Sequence, residues 1–189
     1  MKKDDYVRVL DYLPKGKSEV PPHKRKPLVQ GLGDKYFSLL ELAPREGTDF
    51  ELSERVYIGE DSRQKIDHIE RRIKYEWLTP TAKSELPPMI RIVIEENEKE
   101  FIGFYNTAVT ISTRQHKLET LPKIGRRHRE EILDEREIKP FESFEDMRKR
   151  LTSIPDPINV LVEKIVDELK GESKYYLFTP VVDERERRQ

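Results

Sequence analysis

Leu121-Pro122-Lys123-Ile124-Gly125 stands directly before Arg126-Arg127-His128-Arg129-Glu130-Glu131-Ile132-Leu133, and this order of residues predicts a tight turn entering a helix. Proline fixes the turn entry, Leu121 and Ile124 supply apolar anchors, and Gly125 lets another molecule approach the backbone closely. The first N–H groups of a helix have no partner within it, so such a turn offers a ready anion site. The charge order strengthens this expectation. Arg126, Arg127 and Arg129 crowd the first turns while Glu130, Glu131, Asp134 and Glu135 follow, the reverse of what the helix dipole favours. A polyanion at the helix start would be held by amides and guanidinium groups together. From Arg114 to Arg129 there are six basic residues and one acidic residue.

The segment resembles the core of the helix-hairpin-helix motif, Leu-Pro-x-Ile-Gly before a helix. It departs from that motif at Lys123, where the first glycine of the hairpin commonly stands. A lysine there carries roughly 1 to 2 kcal/mol of strain if the left-handed conformation is kept. A shift of thirty-three residues lays Leu121–Glu135 over Ile154–Glu168 with five of fifteen pairs identical. The chain therefore reads as two stacked helix, hairpin, helix units that share a core. The second hairpin, Ile154-Pro155-Asp156-Pro157, has neither glycine nor basic residues and is expected to be structural.

Upstream, Tyr6–Leu13, Tyr36–Leu42 and Arg55–Ile58 are β-branched or aromatic runs bounded by turn formers, which predicts a small barrel. Gly31-Leu32-Gly33 is expected to be a turn between strands. The Pro14–Pro27 connection is a basic loop with Lys15, Lys17, Lys24, Arg25 and Lys26 against Glu19, suited to phosphate contacts. Tyr12, Tyr36 and Tyr57 are expected to pack the core, with base stacking as the alternative. From Asp61, spacings of three and four among Ile66, Ile69 and Ile73 predict a helix. Thr79-Pro80 starts a short helical turn, and Ile90 to Tyr105 forms an amphipathic helix with Glu95, Glu96, Glu98 and Lys99 opposite its apolar stripe. Asn106 or Thr107 begins a further helix to Lys117, Tyr175–Phe178 is a last strand returning to the barrel, and Asp183–Gln189 is a frayed tail.

The basic-loop β segment, Leu78-Thr79-Pro80-Thr81-Ala82-Lys83-Ser84-Glu85-Leu86-Pro87, the glutamate-rich helix, Leu121–Gly125 and Pro140-Phe141-Glu142-Ser143-Phe144-Glu145-Asp146 together resemble an archaeal family of unknown function that is described as RNA-binding. The resemblance spans nearly the whole chain. It implies an oligonucleotide-binding-type barrel ahead of a helix-hairpin-helix region, and RNA as ligand, with no established reaction. The expected fold is therefore α+β: an OB-like β-barrel over 1–60, a helical connector over 61–105, a double helix-hairpin-helix over 106–171, and a strand and tail over 172–189. The expected function is non-catalytic nucleic-acid binding through Lys123, Gly125, Arg126, Arg127 and Arg129 and the loop cations. The alternative is an adaptor docking on a ribosomal or transcription component.

Composition sets the remaining bounds. Basic and acidic side chains nearly balance, 36 to 37, so charge is informative only by segment. The absence of cysteine excludes disulfides, thiolate metal sites and cysteine nucleophiles. Neither a signal core nor a bilayer-length apolar run occurs, which leads to the expectation of a cytoplasmic protein without membrane contact. Abundant Lys, Arg and Glu match heat-adapted proteins. His23, His68, His116 and His128 show no close pairing, there is no phosphate-binding loop of the Walker type, and no serine nucleophile elbow appears. The sequence therefore points to no cofactor, metal or catalytic residue, and a nuclease is the least supported of the three functions.

Overall fold

In Tyr6–Leu13 (β1) Val7, Val9 and Leu10 are fully buried while their neighbours are partly exposed, the near-alternation of a half-buried strand. The computed structural model describes residues 3–180. Strand β1 pairs antiparallel with Leu28–Gly33 (β2) and with Arg55–Tyr57 (β4). Leu39–Pro44 (β3) joins β2 to Ile66–Arg72 (β5), giving the antiparallel order β4-β1-β2-β3-β5. Register shifts between Val9 and Asp11, and at Glu41/Leu42 and Ala43/Pro44, mark bulges that bend the strands. The resulting curled half-barrel encloses Val7, Val9, Val29, Leu42, Val56 and Ile66.

The predicted helix from Asp61 is instead this fifth strand. Residues three apart face opposite sides of a strand, and accordingly Ile66 is fully buried while Ile69 is 38% exposed; ladder bonds to β3 outweigh the helical spacing. Gly31-Leu32-Gly33 is likewise strand and not turn. A Cβ at Gly31 would crowd Val7, and one at Gly33 would overlap the Asp4 carboxylate, so both glycines admit a close neighbour. The predicted Tyr36–Leu42 strand begins only at Leu39 because Phe37 turns the chain at φ 53°.

The described chain divides into two compact units, one formed by residues up to Met89 together with 166–180 and the other by Ile90–Ile165. Helix α1, Pro80–Glu96, is capped by Thr79, whose hydroxyl accepts from the Ala82 amide at 3.0 Å, as the Thr-Pro start signal predicts. It runs through Pro87 and Pro88, so the short turn expected at Thr79-Pro80 and the start of the helix expected from Ile90 are one element. The long amphipathic helix breaks at Asn97, whose side-chain amide donates to the Val93 carbonyl at 2.8 Å, and α2 continues over Glu98–Thr107.

The helix predicted from Asn106 to Lys117 is absent. Residues Thr110–Ser112 (β6) and Gln115–His116 (β7) form a hairpin, followed by a 3-10 turn at Lys117–Thr120. The β-branched residues Val109, Thr110, Ile111 and Thr113 favour extended backbone, and Arg136 closes the end of α2 by donating to the Tyr105 and Ala108 carbonyls, each at 2.9 Å. Helices α3 (Arg126–Ile138), α4 (Phe144–Arg150) and α5 (Pro157–Lys170) complete the order.

Tyr175–Phe178 forms no strand. The amides of Leu177, Phe178 and Thr179 donate to the buried Glu168 carboxylate at 2.7, 3.1 and 2.8 Å, which takes them from any ladder. The predicted frayed tail, Asp183–Gln189, lies outside the described residues.

Candidate nucleic-acid interface

Leu121 and Ile124 are buried to 3% and 5% exposure and anchor the first hairpin. The turn closes through Leu121 N–H to the Leu118 carbonyl at 3.1 Å and Ile124 N–H to the Leu121 carbonyl at 3.3 Å. Lys123 takes φ 62°, so the left-handed conformation is kept without a glycine. His128 Nδ1–H donates to the Lys123 carbonyl at 3.0 Å and ties helix α3 back to the turn. Gly125 is the N-cap, in extended backbone and with no side-chain cap. The first helical bond is Arg129 N–H to the Gly125 carbonyl, so helix geometry leaves the amides of Arg126, Arg127 and His128 without intrahelical partners. A Cβ at Gly125 would meet nothing within 4 Å, so open space adjoins the start of α3.

The cations around that opening differ. Arg126 is highly exposed and pairs with Glu130 one turn on at 3.1 Å. Arg127 is exposed and has no ion-pair partner among the described residues. Lys123 reaches Glu163 at 2.5 Å, both exposed. Exposed pairs of this kind are worth about 0 to 1 kcal/mol. Arg129 is different: only 22% exposed, it bridges Glu119 at 2.9 Å and Glu130 at 3.1 Å. The structure thus brings Lys123, Gly125, Arg126 and Arg127 together on an accessible edge and fastens Arg129 to the framework.

The second hairpin carries its own anion. Asp156 caps α5, accepting from the Asn159 amide at 3.0 Å and from Arg148 Nε at 2.6 Å. Burial raises its carboxyl, but the hydrogen bonds from Arg148 and from the Asn159 amide outweigh that effect and hold it below the usual aspartate value. A phosphate at this helix start would meet a carboxylate already in place.

The basic loop belongs to the other unit. Lys15, Lys24 and Lys26 are exposed, but Lys17 pairs at 2.5 Å with the buried Glu41, and Arg25 binds the Val20 and Ser18 carbonyls at 2.7 and 2.8 Å. Burial raises the Glu41 carboxyl, but hydrogen bonds from Lys17, Arg71 and Gln30 outweigh it and hold the group low. Lys17 and Arg25 therefore shape the loop while three lysines face outward. Tyr12 packs on Phe50 at 5.1 Å between centroids. Tyr57 meets Tyr6 at the same distance and its hydroxyl meets Asp61 at 3.2 Å, while Tyr36 is half-buried beside Lys35.

A further basic and aromatic group escapes the sequence reading. Trp77 is 37% exposed, with the Arg71 guanidinium 4.9 Å and the Lys74 ammonium 5.9 Å from its ring centroid. The signal lies in the interleaved basic and aromatic residues of Arg71-Arg72-Ile73-Lys74-Tyr75-Glu76-Trp77, obscured by assigning the stretch before it to a helix. Among the described residues no group of three or more His, Asp or Glu side chains is placed to hold a metal, and no helix is long and apolar enough to cross a membrane.

The family model described as "Protein of unknown function (DUF655)" matches residues 3–180. An uncharacterized protein of Methanocaldococcus jannaschii, MJ0038, is 45% identical over 177 residues, covering 93% of this chain and 79% of that protein. The crystal structure of Af1531 from Archaeoglobus fulgidus, described as a DUF655 family member, superposes with a TM-score of 0.88 at 42% identity, covering 94% of this chain and 100% of that one.

Proposed function

This chain belongs to the DUF655 family of proteins of unknown function, and from that premise we propose that it is a non-catalytic nucleic-acid-binding protein that grips phosphates at the first hairpin. The observation that carries this is the contrast between the two helix starts. Gly125 leaves the amides of α3 uncapped beside Lys123, Arg126 and Arg127, whereas Asp156 fills the equivalent place on α5. Backbone donors and flanking cations suit a polyanion better than a lone ion.

The turn segments with α3, α4 and α5 are read as a double helix-hairpin-helix whose first entering helix is reduced to a 3-10 turn. The curled sheet is read as an oligonucleotide-binding-type barrel opened between β5 and β4, a topology that order β4-β1-β2-β3-β5 supports. Its exposed Lys15, Lys24 and Lys26 provide a second set of phosphate contacts. RNA is favoured over DNA by the family resemblance alone, since phosphate contacts do not read sequence.

The test is binding of labelled single- and double-stranded RNA and DNA across a salt series. Arg126→Ala with Arg127→Ala should weaken binding and lower the salt slope by up to about two, with the melting temperature retained. Unchanged affinity for all four ligands would remove the hairpin from the site. The adaptor reading draws on the exposed Val109, Ile111 and Ile138; salt-insensitive capture of a protein partner, with no nucleic acid shifted, would favour it instead.

A further inference from the structure

A cavity of about 500 Å³ lies within the first unit, bordered by Phe37, Arg72, Lys74, Trp77, Lys170 and Tyr176 among others. Its volume is that of a small-molecule site. Three of these side chains are aromatic and three are cationic, a combination that suits a ligand with one planar part and one anionic part.

The chemistry of the wall is specific. The Arg72 Nη2–H donates to the Ser38 hydroxyl at 2.8 Å, and its buried Nε has no hydrogen-bond partner among the described residues. A buried guanidinium N–H left in this way costs free energy and marks hydrogen-bonding capacity that the fold leaves unused. Two carboxylates also border the cavity, Glu76 and Glu168. Glu168 is already engaged, accepting from the Leu177, Phe178 and Thr179 amides and from the Thr179 hydroxyl at 3.1 Å. Its role is to fix the 177–179 segment, which follows the wall residue Tyr176 and carries the wall residue Thr179. The wall therefore carries three cations and two carboxylates, an excess of one positive charge.

Phe37 supplies a second observation. It is a bulky, buried residue at φ 53°, a conformation seldom taken by side chains of its size. Asp4 holds the turn, accepting from the Lys35 and Tyr36 amides at 2.9 and 2.7 Å. Strain of this kind persists only where the surroundings enforce it, and it gathers at ligand sites. Here it places an aromatic side chain at the cavity.

We propose that this cavity binds a single nucleotide, its base against Trp77, Phe37 and Tyr176 and its phosphate on Arg72, Lys74 and Lys170. The same chemistry is presented by a free nucleoside monophosphate and by the phosphorylated end of a single strand. Base stacking on aromatic side chains and charge-assisted bonds to phosphate supply the affinity.

Trp77 is the only tryptophan, so its fluorescence reports on the cavity directly. The titration is run on the full chain carrying Arg126→Ala and Arg127→Ala, which removes the hairpin contribution. AMP should quench Trp77 saturably, and adenosine and ribose 5-phosphate should each bind at least about tenfold more weakly, since each lacks one half of the ligand. Lys74→Ala and Lys170→Ala should each raise the AMP Kd about threefold or more, and Arg72→Gln about tenfold. A 5′-phosphorylated hexa-adenylate that outbinds AMP identifies a strand end as the source; the reverse order identifies the free nucleotide, and both sustain the site. Absence of saturable quenching by AMP and by the oligonucleotide up to about 10 mM overturns the proposal. So does an AMP Kd left unchanged by both lysine substitutions, a result that stands even if Arg72→Gln fails to fold.

Discussion

Lys123 occupies a left-handed position that a glycine would adopt without strain. Its side chain makes one exposed ion pair with Glu163, worth about 0 to 1 kcal/mol and so too weak to offset the strain of that position. Comparing two variants separates the backbone from the side chain. Both Lys123→Gly and Lys123→Ala lose the ion pair, but only the glycine relieves the strain, so denaturant unfolding should find Lys123→Gly the more stable by about 1 kcal/mol. Both should lose affinity for RNA equally. His116 sets a pH dependence beside the same hairpin. Burial chiefly, then Arg136 and Arg129, hold its imidazole below the ordinary 6.5, against the opposing pull of Glu119. The neutral ring accepts from the Leu118 amide at 3.1 Å and caps the 3-10 turn. A base with a depressed folded value binds its proton more readily when unfolded, so this contribution is fully present above 6.5 and declines as pH falls toward the lowered value. His116→Asn, which keeps an acceptor but does not titrate, should flatten the fall in melting temperature between about pH 7 and 5. An unchanged slope would exclude His116 as the source.

At the scale of the element, the starts of α3 and α5 differ in the residue that caps them. Both follow a proline-bearing hairpin, but glycine caps one and aspartate the other. Gly125 already has backbone angles suited to a cap and space for a side chain. Gly125→Asp should therefore stabilise α3 by a few tenths of a kcal/mol, since Asp and Gly caps differ little. It should also weaken RNA binding at least about tenfold by seating a carboxylate where phosphate would lie. Melting and binding measured on one preparation should move in opposite directions. A variant that binds normally would show that the α3 amides are not the anion site.

For the molecule as a whole, the chain leaves the first unit at α1 and returns to it along α5. Glu168 secures that return. Its carboxylate, 1% exposed, gathers three backbone amides and one hydroxyl from residues 177–179. Hydrogen bonds to charged groups are worth about 1.5 to 3 kcal/mol, and buried amides left without an acceptor are costly. Glu168→Ala should destabilise the protein by about 3 kcal/mol and make the 172–180 segment the first site of limited proteolysis. Cleavage elsewhere first would mean that the segment is held by other contacts.

Sequence alone determined what depends on neighbours along the chain. The β1 strand, the Thr79 cap, the apolar anchors Leu121 and Ile124 and the cationic start of α3 were all legible, because local propensity, capping chemistry and charge order are short-range. It misjudged Ile66–Arg72, Gly31–Gly33 and residues 108–116. In each case the outcome rests on a partner distant in sequence: the β3 ladder, the β1 ladder, and the Arg136 guanidinium that ends α2. Only the tertiary structure decided which cations are accessible. Lys17 and Arg129 look like Lys15 and Arg127 in sequence, but Glu41, in strand β3, claims the first and Glu119, in the 3-10 turn ahead of the hairpin, claims the second. The cavity at Trp77 was illegible for the same reason, since residues 37, 72 and 176 share a wall only once the sheet has curled and the chain has returned along α5.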